Sequence, residues 1–470
     1  MKPTSHLTAP VSAEPEVPSS APDPYPSSGY AWYVVGVLTL AYIFSFIDRQ
    51  ILSLMVVPIQ HDLGINDKQM GLLMGLSFAV FYTLFGIPLG RLADTRSRRV
   101  IISVGIALWS VMTAGCGLAR TFWQLAIMRM GVGVGEASLS PSAYSLISDY
   151  FRPERRSTAM SVYSMGIYIG SGLAFILGGF IMQLVAGQES TILPWIGPVR
   201  SWQLVFFAVG LPGLLVSLLL LTVREPIRKG VRLKSDGSTI TGPTSGAVWF
   251  YIRTNYLTFM FLTLGTGMIA LYSYGANSWI PAMLIRRYGW SQAKTGQVFG
   301  IIVAIAGTLG IVSGGRLADW LRPRGYADAN LRVALWGAIA GVPFVLLFPL
   351  APSANLVAVL LVPVVFFMSM PFGVAPAAIQ QMMPNTMRAQ ATAFYLFVIN
   401  LLGIGLGPWI VALLTEDVFH DKQAVHLSLL VVGAVSFALA ILALSAGLKP
   451  YRRSLDYLKQ FSETDERQAQ

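Results

Sequence analysis

Charge is scarce in this sequence. Asp, Glu, Lys and Arg make up 12% of its 470 residues, while hydrophobic residues make up 54%. Roughly a quarter of a soluble chain is charged, so a mainly water-facing surface is excluded. The mean hydropathy of +0.61 agrees, and the chain reads as a polytopic membrane protein. Cysteine is almost missing. Cys116 is the one thiol and lies inside an apolar run, which excludes a disulfide framework and a cysteine metal site. The four histidines (His6, His61, His420 and His426) are scattered, none at the centre of an apolar run. A zinc site and a histidine proton relay are therefore not expected, and neither is any cofactor. A nucleotide-binding P-loop is also missing, so ATP-driven pumping by this chain alone is not expected. No apolar segment follows Lys2, and residues 1–29 are rich in Pro, Ser and Ala. They read as a disordered tail rather than a signal peptide. Asn-x-Ser/Thr does not occur, which favours a bacterial protein and the inner membrane as its destination.

What is present is a series of apolar runs. Twelve meet the criterion of about 20 residues for a membrane-spanning helix: 31–58, 70–92, 100–119, 124–150, 158–184, 202–223, 256–284, 292–317, 331–350, 355–382, 390–414 and 425–447. The loops after even-numbered spans are the richer in Lys and Arg, which places both termini in the cytoplasm. The formal charge of +11 then serves orientation and needs no nucleic acid or other anionic partner. Gly90-Arg-Leu-Ala-Asp94 reappears as Gly315-Arg-Leu-Ala-Asp319, each copy ending the second span of its half. The expected fold is an all-α membrane protein of twelve helices in two pseudo-symmetric halves working by alternating access. The divisions are a bundle over 30–223, a linker over 224–246, a bundle over 247–448 and a polar tail over 449–470.

Asp48 and Glu136 are the acidic residues well inside these spans, and Arg49 and Arg129 are the deep cations. Charges inside a membrane helix are functional candidates by default. Arg129 and Glu136 are seven residues apart, about 20° short of two full turns, so both lie on one helix face. They are about 10 Å apart along the axis, which suits lining a cavity better than direct pairing. The four charges sum to zero, which makes their burial tolerable. Protonation of Glu136 or Asp48 would leave an excess of positive charge for an anionic headgroup. Glu136 is the expected proton site, Arg129 the neighbour that senses it, and Asp48 with Arg49 the facing wall. The second half is less charged. Tyr272, Tyr274, Asn277 and Asn400 are candidates to line the cavity, opposite a more polar first half. Gln380 and Gln381 read as ordinary interhelical hydrogen-bonding groups. Gly403-Ile-Gly-Leu-Gly-Pro408 predicts close packing and a bend. No set of metal ligands and no nucleophile–base pair accompanies the deep carboxylates, so an enzyme is not expected.

Gly90-Arg91-Leu92-Ala93-Asp94-Thr95-Arg96-Ser97-Arg98-Arg99 resembles the cytoplasmic loop motif of the major facilitator superfamily, departing from it at Ser97, where glycine is usual. Gly166 and Gly170 have the spacing of that superfamily's antiporter motif, but Ser171 replaces its proline. Phe46-Ile47-Asp48-Arg49, Arg129 to Glu136 with Ala137 and Pro141, and Asp149-Tyr-Phe-Arg-Pro153 resemble the Spinster family. That resemblance implies a carrier of lysophospholipids, sphingosine-phosphate-like molecules or related anionic amphiphiles, coupled to protons and working as a monomer among membrane lipids. It also implies a cytoplasmic gate from Asp94, Arg98, Arg99, Asp149 and Arg152, stabilising the state open to the outside. The helix 1 Asp-Arg pair equally resembles that of organic-anion facilitators, so a proton-coupled carrier of small organic anions or drugs remains open.

Overall fold

Proline and glycine decide where the apolar runs break. Pro58 would press its ring on the carbonyl of residue 54, four positions back, and donates no N–H. The first run accordingly splits into α1 (Ser28–Leu54) and α2 (Val56–Leu63). The second splits at Gly75 into α3 (Asp67–Met74) and α4 (Leu76–Thr95). α5 (Arg98–Cys116) is continuous. The expected single helix over 124–150 is two, α6 (Phe122–Glu136) and α7 (Leu139–Tyr150). The cause is Pro141, whose ring would meet the carbonyl of Ala137 in an unbroken helix. α8 (Pro153–Leu184), a two-stranded antiparallel ribbon of β1 (Ser190–Leu193) and β2 (Gly197–Arg200), and α9 (Ser201–Leu220) complete the first half.

In this computed structural model the described residues are 26–184, 190–193, 197–226, 245–384 and 387–469. Nearly all of the expected N-terminal tail and most of the linker lie outside them. The second half opens with α10 (Ser245–Thr254) and α11 (Tyr256–Tyr288). α12 (Gln292–Ile302) and α13 (Thr308–Leu321) are joined by a π-helical turn at Val303–Gly307. α14 (Ala329–Leu347) and α15 (Ala354–Met382) follow. α16 (Arg388–Asn400) and α17 (Gly407–Leu413) are separated by a second π-helical turn at Leu401–Leu406. That turn falls where the glycines before Pro408 predict an irregularity. α18 (Val425–Ala469) runs on through the region expected to be a polar tail. Tyr451 and Leu455 are buried, with Leu458 and Phe461 packed against the same core. This spacing of three and four residues gives the extension one apolar face.

Eleven helices among the described residues are long and apolar enough to cross a membrane. α6 and α7, of 15 and 12 residues, are each too short to count alone. Both described ends of the bundle lie on one side. There Tyr33 near the start of α1 meets Thr222 just after α9. In the second half Tyr251 of α10 donates to Met382 at the end of α15, and Tyr451 of α18 donates to Ala378 of the same helix. The halves are joined on the far side. A Cβ at Gly75 would lie 2.5 Å from the Gly405 carbonyl oxygen, and one at Gly296 would lie 2.2 Å from that of Phe175. Glycine there lets α3–α4 meet the π-turn before α17, and α12 meet α8, backbone against backbone.

Candidate functional site

The four deep charges come together in the first half. Arg49 Nη2 donates to Glu136 Oε2 at 2.5 Å, and Ser45 Oγ donates to the same oxygen at 2.6 Å. Ser45 and Arg49 are four residues apart, so α1 presents both to α6. Glu136 ends α6, where the helix dipole is unfavourable to an anion, and Arg49 offsets this. The Arg49 guanidinium also lies over the rings of Phe46, Phe78 and Tyr82, at 4.7, 4.5 and 5.3 Å. Phe78 has the Arg129 guanidinium 5.5 Å away as well, so one ring serves both cations.

Sequence spacing sets Arg129 too far along the helix to pair directly with Glu136, and the ion-pair partner is Arg49. Arg129 is fully buried and donates from Nη1 to the backbone carbonyl of Asp48 at 3.1 Å. Asp48 and Arg49 are neighbours in sequence, and consecutive residues point about 100° apart around a helix. They therefore meet different helices. Arg49 turns to α6, while the Asp48 carboxylate turns to Trp109 and Thr113 of α5. Neither Asp48 oxygen has a hydrogen bond of ordinary geometry, nor do Arg129 Nε and Nη2, Arg49 Nε or Glu136 Oε1.

The second-half candidates separate. Tyr274 is half-buried, meets Phe372 edge-on at 6.2 Å and lies within electrostatic range of Arg49. Tyr272 is fully buried, stands edge-on to Phe437 at 5.6 Å and packs on Gly433, away from the charges. Asn277 and Asn400 are partly buried.

On the terminal side, Arg98 is buried and gathers three elements. Its Nη1 donates to Asp149 Oδ2 at 2.5 Å and to Ser145 Oγ at 2.8 Å, and its Nε donates to Glu225 Oε1 at 2.8 Å. Glu225 also accepts from Ser97 Oγ and from the Arg99 backbone N–H. Arg99 Nη1 donates to the Val223 carbonyl. Burial pushes the pKa of Glu225 up, but these hydrogen bonds and the Arg98 charge outweigh it and hold the carboxyl below its ordinary range. These contacts join the start of α5 to the end of α7 and to the segment after α9, within one half. Arg152 is exposed just before α8, and the side chain of Asp94 lies outside the described residues. The second half has a matching tie with the signs reversed. Buried Asp328 accepts from Arg332 and Arg452, both at 2.7 Å, joining the start of α14 to α18. Asp319, the counterpart of Asp94 in the repeat, is exposed and lies 3.5 Å from Arg322.

A far-side clamp was not legible in the sequence. Arg286 at the end of α11 holds both oxygens of buried Asp67, at 2.7 and 2.9 Å. Gln60 completes a ring by accepting from Arg286 and donating to Asp67, both at 2.6 Å. Beside it, Lys68 pairs with Asp417 at 2.8 Å, and its backbone N–H donates to Glu416. Asp67 and Arg286 fall just outside the predicted spans, where a charge in isolation looks like ordinary loop.

A two-half helical bundle, closed on one side and carrying a buried ion pair between its helices, defines a membrane carrier. Residues 38–408 match the Major Facilitator Superfamily. The chain is 30% identical over 435 residues to an MFS-type efflux pump of Mycolicibacterium smegmatis, covering 90% of this chain and 94% of that one. It is 26% identical over 428 residues to the sphingosine-1-phosphate transporter SPNS2 of Xenopus tropicalis, covering 86% and 77%. Its structure is similar, with a TM-score of 0.72 and 28% identity, to that of a bacterial homolog of the human lysosomal transporter Spinster in an inward-facing, unoccupied conformation, covering 92% of this chain and 99% of that one. The chain belongs to the major facilitator superfamily, as a transporter of the Spinster family.

Proposed function

We propose that this transporter carries a lysophospholipid, a sphingosine-phosphate-like molecule or a related anionic amphiphile, driven by protons. The observation that carries the reading is the buried Arg49–Glu136 pair, set between the aromatic rings of the first half and Tyr274 of the second. While Glu136 is ionised it occupies Arg49. A proton on Glu136 releases the guanidinium, whose forked donors suit a phosphate or carboxylate. An anionic headgroup then takes the place of the carboxylate, and the amphiphile's chain lies along the apolar second half. Asp48 with Arg129 forms a second, deeper charge system that responds to the first through Phe78. Twelve spans in two pseudo-symmetric halves, with α6 and α7 together as the fourth, supply alternating access. The far-side clamp marks the state open toward the termini. Both termini are cytoplasmic, the membrane is the bacterial inner membrane, and the working unit is a monomer. In that frame Asp94, Arg98, Arg99, Asp149 and Arg152 lie at the cytoplasmic gate.

The likeness to an efflux pump favours a second reading, in which the same fold carries small organic anions or drugs by proton coupling. Proteoliposome uptake of a labelled lysophospholipid, challenged by a water-soluble anion or by unlabelled lysolipid, separates the two. Competition by lysolipid alone is the expected result. Uptake of the soluble anion with no lysolipid flux would move the assignment to the second reading.

A further inference from the structure

Five tyrosines from five helices surround the Arg49–Glu136 pair. Tyr42 of α1 stacks on Tyr163 of α8 with ring centres 4.4 Å apart, and Tyr144 of α7 meets Tyr163 edge-on at 5.3 Å. Tyr82 of α4 lies 5.3 Å from the Arg49 guanidinium. Tyr82, Tyr274 and Tyr42 all lie within electrostatic range of Arg49. The Tyr163 hydroxyl is fully buried with no hydrogen bond of ordinary geometry, the Ser140 side chain lying beside it. Among the described residues the hydroxyls of Tyr42, Tyr82 and Tyr274, on half-buried side chains, have none either. Tyr144 has only a long contact, 3.4 Å, with Ser164.

A phenol hydroxyl withdrawn from water without a partner costs free energy that phenylalanine would avoid while filling the same space. Here only Tyr163 carries that cost, whereas Tyr42, Tyr82 and Tyr274, on half-buried side chains beside Arg49, keep their hydroxyls free to meet a ligand. Phenol and guanidinium are both donors toward an anion, and the unpartnered Nε of Arg49 adds another. A cluster of donors with one carboxylate among them is complementary to a ligand rich in acceptor oxygens. A cationic headgroup would instead meet Arg49 with like charge.

Resting on the lipid-carrier reading above, we infer that Tyr42, Tyr82 and Tyr274 determine headgroup specificity, donating hydroxyl hydrogen bonds to a phosphate held at Arg49, with Tyr144 and Tyr163 bracing Tyr42. A phosphate offers at least three acceptor oxygens and fills several donors together, whereas a carboxylate offers two. The rim therefore selects phosphate-bearing amphiphiles over fatty acids. Tyr274 comes from the other half, so headgroup binding also bridges the two bundles.

The test is equilibrium binding to the full-length purified protein of three probes with one acyl chain: lysophosphatidic acid, the free fatty acid and the neutral monoacylglycerol. The wild type is expected to bind them in that order. Tyr42→Phe, Tyr82→Phe and Tyr274→Phe are each expected to weaken the phosphate probe about tenfold, as for a lost hydrogen bond to a charged group. Monoacylglycerol affinity should stay within twofold. Tyr272→Phe, which removes another unpartnered buried hydroxyl remote from Arg49, should change nothing. Each variant keeps its ring, and an unchanged melting temperature reports that the fold is intact. Wild-type binding of lysophosphatidic acid that survives all three substitutions within twofold would overturn the rim while leaving the carrier reading standing. No preference for the phosphate probe in the wild type would overturn both.

Discussion

The Arg49–Glu136 pair shows how a single ionic contact is made safe inside a membrane. Both side chains are nearly free of water, and removing one partner of such a pair typically costs about 3–5 kcal/mol. Ser45 and the flanking rings supply part of what water would otherwise give. That these charges lie deep in the bundle is legible in the sequence, because each interrupts a long apolar run. Which arginine serves which carboxylate is not legible. It depends on how α1 is rotated against α5 and α6, and adjacent Asp48 and Arg49 point to different neighbours. Glu225 is invisible for another reason: it lies in a basic interval and looks like linker until Arg98 is found folded over it. Its carboxyl is held below the ordinary glutamate value of 4.5 in the folded protein. A group with a depressed folded value stabilises above its unfolded value, and that stability is lost as pH falls through the folded one. Acidification below that ordinary value is therefore expected to loosen the tie between α5 and the segment after α9. Melting temperature followed against pH should fall more steeply in that window for the wild type than for Glu225→Gln. Parallel curves would show that the carboxylate contributes nothing.

Among the elements, the breaks were the most legible features in principle and the easiest to overlook in practice. Pro58 and Pro141 each disturb a carbonyl four residues earlier, and the breaks fall there. An apolar run gives length but hides such an interruption, which is why residues 124–150 read as one span. The π-turn at Leu401–Leu406 was foreshadowed by its glycines and Pro408. The extension of α18 was obscured by its charged residues, whose apolar neighbours recur at helical spacing. Gly75 shows what a break achieves, since it lets α3–α4 press directly on the turn before α17. Gly75→Ala would push a methyl to 2.5 Å from the Gly405 oxygen, and overpacking of this kind costs about 1–3 kcal/mol. The substitution is expected to weaken the far-side contact between the halves. Cross-linking of cysteines placed at positions 71 and 412, which face each other there, should drop relative to the Gly75 parent. Equal cross-linking would mean that the backbone contact adjusts without loss.

For the whole molecule, one charged tie holds each bundle together on the terminal side, and a separate clamp joins the bundles on the far side. The ties within the halves and the clamp between them thus draw on different residues. The composition and the internal repeat announce the two-half membrane fold. The closed side is set by long-range pairs such as Asp67 with Arg286, 219 positions apart, which no local pattern specifies. Asp67→Asn removes the charge and keeps the shape. It should shift the population away from the far-side-closed state by more than tenfold if the pair contributes about 3 kcal/mol. Spin labels at Gln183→Cys and Gln297→Cys, whose parent side chains are hydrogen-bonded at 3.3 Å, would report this in a Cys116→Ser background. A longer distance population in Asp67→Asn is expected. An unchanged distribution would assign closure to the glycine-packed helices alone.

The proposal that Glu136 couples the proton to the cargo is tested most directly by lysophospholipid flux into proteoliposomes, with and without an imposed proton gradient, in wild type and Glu136→Gln. The wild type should concentrate the lipid along the gradient. Glu136→Gln should retain only gradient-independent exchange. Gradient-driven accumulation that survives the substitution would remove Glu136 from the coupling.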